Sequence, residues 1–173
     1  MPLLKSYDRK AQFEFYKAMA PKFMGIAFRY FISKEDKEDV LQEAFILIFQ
    51  NIHTFKGDSK IETWSTRILI NCILQRIQKN QKVNFTDISE SDTELISENF
   101  NTESNLLYEE LIKLINLLPE SKKVIFNLYV IEGYSHKEIA DMLHISVSTS
   151  KTQLFRAKEF LMDLHKKRNK IES

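Results

Sequence analysis

Residues 134–158, YSHKEIADMLHISVSTSKTQLFRAK, read as two short helices joined by a tight turn. Ser135 followed by Glu138 forms a capping box, in which the hydroxyl accepts from an orphan backbone N–H and the carboxylate reaches back. Ile139, Ala140 and Leu143 supply the apolar side of a helix of about two turns. Leu143-His144-Ile145 is too short for anything but a turn, and Ser146 can cap a second helix running through Leu154, Ala157 and Leu161. Small Ala140 lets the two helices cross closely. A helix-turn-helix has these requirements: a short first helix, a small residue, a turn of three or four residues, and a longer helix with polar first turns. Those turns carry Ser148, Thr149, Ser150, Lys151, Thr152 and Gln153, whose hydroxyls, amide and ammonium can bond to base edges or phosphates. Apolar Leu154, Phe155 and Leu161 should anchor the helix. Such a motif can also serve protein contacts.

Composition bounds the rest. A length of 173 residues suits one domain or two small ones, and 43% hydrophobic content is enough for a folded core. Only 3 Gly and 3 Pro point to an all-α chain with few tight turns. The single Cys72 excludes an internal disulfide and any cysteine-based zinc site; among Ile70, Ile73 and Leu74 it reads as a buried small hydrophobe. No apolar run approaches the roughly 20 residues needed to span a bilayer, and MPLLKSYDRK lacks the apolar core of a signal peptide. A cytoplasmic protein without membrane insertion is the expectation.

The formal net charge of +1 hides a partition. Residues 83–112 hold eight acidic side chains and no basic one, whereas residues 1–82 carry a net +5 and residues 113–173 a net +4. Two basic lobes therefore flank an acidic connector. Low hydrophobicity and abundant Asp, Glu, Ser and Asn mark residues 83–101 as a flexible linker. The expected organisation is two small helical domains, 1–82 and 102–173, joined by this linker, with the helix-turn-helix in the second.

In the first lobe, Asp8 can cap a helix bearing Phe13, Phe15, Tyr16 and Met19, and Pro21 suits the first turn of a second helix bearing Phe23, Ile26, Ala27, Tyr30 and Phe31. Ser33 with Asp36 opens a third, acidic at its start as the helix dipole favours. Its later part, Val40 to Ile52, is apolar nearly all round, which fits either a central helix or one that also meets a partner. HTFKGDS, residues 53–59, reads as a loop. The next helix keeps Ile61, Trp64, Ile68 and Ile73 at helical spacing and adds Arg67, Arg76, Lys79 and Lys82, a solvated basic face or a nucleic-acid surface. In the second lobe, leucines from Leu106 to Leu118 continue a helical pattern, and a helix starting at Pro119 ends at Gly133. The four histidines are scattered and no glycine-rich phosphate loop is present, so no catalytic residues, metal site or cofactor are expected.

Three blocks, in order, resemble the sigma-70 family of RNA polymerase sigma factors, extracytoplasmic-function (ECF) subgroup. DKEDVLQEAFILIFQNI is similar to the polymerase-binding helix of the second conserved region, with Asp39, Gln42 and Phe45 at the family's positions. FKGDSKIETWSTRILIN resembles the promoter-melting segment, with Phe55, Gly57, Ser59, Thr63, Trp64, Ile68 and Asn71 in place. Residues 118–158 resemble the fourth region, with Leu118-Pro119, Gly133, Glu138-Ile139-Ala140, Thr149, Lys151 and Arg156-Ala157 aligned. The family's usual glycine and valine around that threonine are Ser148 and Ser150 here, and Gln75, Gln78 and Gln81 dilute the basic cluster after Asn71.

The resemblance implies a non-enzymatic factor that binds core RNA polymerase and promoter DNA, and it admits an anti-sigma factor as a further partner. Polymerase contacts would come from Asp39, Leu41, Gln42 and Phe45. Contacts to the −10 element would come from Lys56, Asp58, Ser59 and Lys60 around a flipped base, with Trp64 as support and Arg67 and Asn71 beside it. Contacts to the −35 element would come from Ser148, Thr149, Lys151, Thr152, Gln153 and Arg156. A regulator with a receiver-type sensor is the competing class, but residues 1–82 show no strand pattern. A helical adaptor that binds only protein is the third reading.

Overall fold

The computed structural model describes residues 8–80 and 106–171, and among these the regular structure is helical, with no strand. They fall into two compact units, one within residues 1–82 and one within residues 83–173. The acidic connector, residues 83–101, lies outside the described residues.

The first unit begins with α1 (Arg9–Ala27), capped by Asp8, whose carboxylate accepts from the Ala11 amide at 2.7 Å. Here the reading of two helices is corrected. Pro21 lies inside one continuous helix rather than at the start of a second. A proline in a helix interior costs about 3 kcal/mol. Met19, Phe23 and Ala27 form one buried stripe that passes across it, and burying a side chain the size of Met or Phe contributes about 1.5–3 kcal/mol each. Pro21 itself is exposed, so the strain of the missing amide falls on the water side.

Helix α2 (Lys34–Asn51) packs against both α1 and α3 (Ile61–Asn80) and is the centre of the unit. Ser33 caps it by accepting from the Asp36 amide. The reciprocal half of the expected capping box is absent because the Asp36 carboxylate is taken by Arg76. Val40, Leu41, Ala44, Phe45 and Ile48 are buried, and Phe45 meets the rings of Phe23, Tyr16 and Phe49 at centroid separations of 5.2, 4.7 and 6.0 Å. The helix is not buried all round: Ile46 is 56% exposed. After a short 3₁₀ turn, Ile52–Thr54, the chain enters an exposed loop pinned at each end by buried Phe55 and Ile61. Helix α3 turns Leu69, Ile70, Ile73 and Ile77 inward, so Leu69 holds a deeper position than Ile68. Cys72 is buried there, and desolvation pushes its thiol pKa up to about 11, a packing group and not a nucleophile.

In the second unit α4 (Leu106–Asn116) leads to α5 (Glu120–Phe126), which starts after Pro119 and passes into a π-helical turn at Asn127–Ile131. Gly133, at φ +77°, ends that run, and the Tyr134 amide donates to the Leu128 carbonyl. The capping box of α6 (His136–Leu143) forms as expected: Ser135 accepts from the Glu138 amide while the Glu138 carboxylate takes the Ser135 N–H at 2.8 Å. His144, in the left-handed region at φ 55°, makes the turn. Ser146 accepts from the Thr149 amide at 2.9 Å and opens α7 (Val147–Ile171), against which α4, α5 and α6 all pack.

Phe45 fills the centre of the first unit and Ile46, one residue on, does not, which separates their roles. Phe45→Ala should destabilise residues 1–82 by about 3–5 kcal/mol, whereas Ile46→Ala should leave the urea midpoint almost unchanged. Circular dichroism of each variant in urea checks this.

Candidate nucleic-acid interface

The periodicity of α7 decides which of its residues can meet a ligand. Ser150, Gln153, Leu154 and Ala157 form the inward stripe, at spacings of three and four residues. Ser148, Lys151, Thr152 and Phe155 lie outward, with Thr149 and Arg156 half-buried at the flanks. Two expectations are corrected by this phase. Gln153, expected among the duplex contacts, is only 2% exposed and lies on the inward stripe. Phe155, expected to anchor the helix, is 61% exposed, one turn beyond Lys151 and Thr152. The outward face therefore combines hydroxyls, an ammonium and an aromatic ring, a set able to bond base edges and touch a thymine methyl. The Thr152 hydroxyl donates to the Ser148 carbonyl at 3.0 Å.

A side-chain link between the helices of the motif was not legible in the sequence. The His136 Nδ1 lies 2.9 Å from the Ser150 hydroxyl, and its ring stacks on Tyr129 at 4.3 Å. Burial first, then the charges of Lys151 and Lys158, lower the His136 pKa and favour the neutral ring.

In the first unit the loop residues Lys56, Asp58, Ser59 and Lys60 are all exposed, as are Arg67 and Asn71, about two and about three turns into α3. Gly57, at φ +88°, supplies the left-handed step in the loop. Trp64 is half-buried against Phe55, ring centroids 5.4 Å apart, within the cluster of Ile52, Phe55 and Ile61. The structure thus joins a cationic, hydroxyl-bearing loop to the exposed Arg67 and Asn71 of α3, with Trp64 packed on Phe55 at the loop's start. Arg76, expected on a solvated basic face, is instead committed: its guanidinium donates to Asp36 and to Asp39, each at 2.8 Å, and ties the C-terminal half of α3 to the start of α2.

On α2 the four residues expected at polymerase separate. Asp39 and Gln42 are exposed, whereas Leu41 and Phe45 are buried in the unit's own core. The exposed stripe they begin continues through Ile46 and Gln50. In the sequence Ile46 only fills between apolar stripes of a dense run; the signal that sets it apart is a phase one residue away from Phe45.

With these faces established, the comparisons agree on one family. The profile of sigma-70 region 2 matches residues 15–83, and that of sigma-70, region 4 matches residues 108–161. The chain is 30% identical over 165 residues to the ECF RNA polymerase sigma-E factor of Haemophilus influenzae, covering 89% of this chain and 87% of that one. It is 30% identical over 149 residues to the ECF sigma-E factor of Escherichia coli K12, covering 80% and 78%. Among solved structures, the sigma factor RpoE in complex with the anti-sigma factor NepR from Bartonella quintana shares the fold, with a TM-score of 0.59 at 19% identity over 88% of this chain and 97% of that one. CnrH in complex with the cytosolic domain of CnrY gives a TM-score of 0.56 at 18% identity over 95% and 94%.

The protein is a transcription initiation factor of the helical, two-region type. It belongs to the ECF subgroup of the sigma-70 family, the non-enzymatic factors that bind core RNA polymerase and direct promoter recognition and transcription initiation. Among the described residues no helix is long and apolar enough to cross a membrane.

The neutral His136 has a consequence for stability. Its folded pKa lies below imidazole's usual 6.5, so between those two values the unfolded chain binds more protons than the folded one. This contribution is intact above about pH 6.5 and is lost as pH falls through the folded value. The melting temperature should drop between about pH 7.5 and about pH 5.5, and His136→Phe should make that drop smaller. Thermal melts across the range test the sign.

Proposed function

We propose that the two units divide the work of initiation. Residues 1–82 hold core polymerase through Asp39, Gln42 and the exposed Ile46 of α2, and recognise and open the −10 element through Lys56, Asp58, Ser59 and Lys60 with Arg67 and Asn71 alongside. Residues 102–173 read the −35 element through Ser148, Thr149, Lys151 and Thr152, with Arg156 on the phosphates. The acidic segment 83–101 is the tether that joins them in sequence, and the whole acts in a cytoplasmic holoenzyme. Leu41 and Phe45 act in this scheme by setting the rotation of α2, and Gln153 by packing α7, not by contact. An anti-sigma factor that covers the α2 face would silence the protein, since polymerase needs the same residues.

The observation that carries this reading is the division of each helix into a buried apolar stripe and an exposed face bearing groups suited to a partner. Melting needs a site for a base turned out of the stack, at an unstacking cost of a few kcal/mol. The loop at residues 56–60 offers it two ammonium groups, a hydroxyl and a carboxylate beside the contact of buried Phe55 with half-buried Trp64. A second reading, that the helix-turn-helix serves only protein contacts, has no comparable support in the polar character of Ser148, Lys151 and Thr152.

Run-off transcription with core polymerase tests the whole. Gln42→Ala with Ile46→Asp should abolish holoenzyme assembly while circular dichroism stays unchanged; assembly at the wild-type level would remove α2 from the polymerase contact. Lys151→Ala should weaken promoter binding, by a margin that shrinks as salt rises because phosphate contacts release counterions. Exchanging residues 56–60 for those of a related sigma factor should alter the preferred −10 base in permanganate footprints without changing −35 affinity. An unaltered preference would put the flipped base elsewhere.

A further inference from the structure

A helix that reads bases must be fixed in rotation about its own axis. With side chains an α-helix is about 10–12 Å across, so a turn of about 20° carries its surface some 2 Å sideways. That is enough to break hydrogen bonds of roughly 2.7–3.2 Å. Much of what holds α7 is apolar: Leu154 and Ala157 are buried on its inward stripe, and α4, α5 and α6 pack against it. Such contacts are strong but non-directional. They hold the helix in place and specify its rotation only loosely.

Two polar residues, Ser150 and Gln153, interrupt that apolar stripe, and Ser150 makes a directional contact to the first helix of the motif. Ser150 is fully buried, on the inward stripe of α7. Its hydroxyl is 2.9 Å from Nδ1 of His136, the first residue of α6. The His136 ring is in turn stacked on Tyr129, at 4.3 Å and 24°, in the π-helical turn before the motif. One directional contact therefore runs through the π turn, the first helix of the motif and the second. It ends one residue from Lys151 and two from both Ser148 and Thr152.

We propose that His136 and Ser150 are a positioning pair for promoter reading: their hydrogen bond, backed by the stack on Tyr129, sets the rotation at which α7 presents Ser148, Lys151 and Thr152 to the bases. The pair touches no DNA. It acts on specificity through the register of the residues that do, and it rests on the reading of that face as the −35 contact. Changing the pair and changing the face therefore have different signatures. Loss of a face residue weakens binding, whereas loss of the pair leaves a folded helix that distinguishes base sequences less well.

The test uses holoenzyme assembled from core polymerase and the full chain. Its probes are promoter fragments carrying the −35 sequence that this holoenzyme selects from a randomised library, and single-base variants of that sequence. The quantity read is the ratio of the two affinities, with the melting temperature of each free variant alongside. Ser150→Ala and His136→Phe, the latter keeping an aromatic ring on Tyr129, should each reduce the ratio roughly fivefold, about one hydrogen bond's net contribution. The double variant should reduce it no further than either alone. His136→Asn places an amide nitrogen or oxygen near the former Nδ1 and should restore most of the ratio. An unchanged ratio with a lowered melting temperature would make the pair structural only and overturn the proposal, as would two reductions that simply multiply. A wild-type holoenzyme with no −35 preference would remove the −35 reading and this pair with it, whereas failure of the pair alone leaves that reading standing.

Discussion

Where Phe45 meets Phe23, Tyr16 and Phe49, at 5.2, 4.7 and 6.0 Å between ring centroids, the rotation of α2 is settled. Aromatic side chains bury more area than any others and prefer tilted contacts, so this group dominates the packing of the first unit. With Phe45 inward, the 3.6-residue period turns Asp39, Gln42 and Ile46 outward. The same constraint operates in α3, where Leu69, Ile70, Ile73 and Ile77 face in and Arg67 and Asn71 must face out, and in α7, where Leu154 and Ala157 bring Lys151 and Thr152 to the surface. A small helix can bury one stripe, and its binding face is what remains.

Charge completes what packing begins. Arg76 bridges Asp36 and Asp39, so a guanidinium that could have joined a nucleic-acid surface instead fastens α3 to the start of α2. Lys37, buried with its ammonium 3.9 Å over the Phe28 ring, is likewise spent inside the unit. The cations that remain outward near the loop, Lys56, Lys60 and Arg67, lie at its two ends and in the first turns of α3. A count of basic residues would include Arg76 among the outward cations of α3; its two ion pairs remove it.

Much of this was legible beforehand. The caps at Asp8, Ser33, Ser135 and Ser146 are local signals, since a hydroxyl or carboxylate reaches an amide two or three residues on whatever the rest of the chain does. All four form. Pro21 misled because its local preference is to start a helix, and the stripe of Met19, Phe23 and Ala27 outweighed it. Arg76 differs from its expectation by ion pairing, and two further residues differ by phase. Phe155 looked like an anchor and Gln153 like a reader, each by chemical type, and each lies on the opposite face.

The sequence by itself determined the helical class, the motif near the C-terminus and the family, because capping, apolar period and motif order are properties of neighbours along the chain. Only the tertiary structure decided which polar residues are available: that Arg76 is held by Asp36 and Asp39, that Gln153 and Phe45 are buried while Ile46 and Phe155 are exposed, and that His136 meets Ser150. Those outcomes depend on helices distant in sequence competing for the same interior. A side chain's chemical type does not reveal which neighbour will cover it.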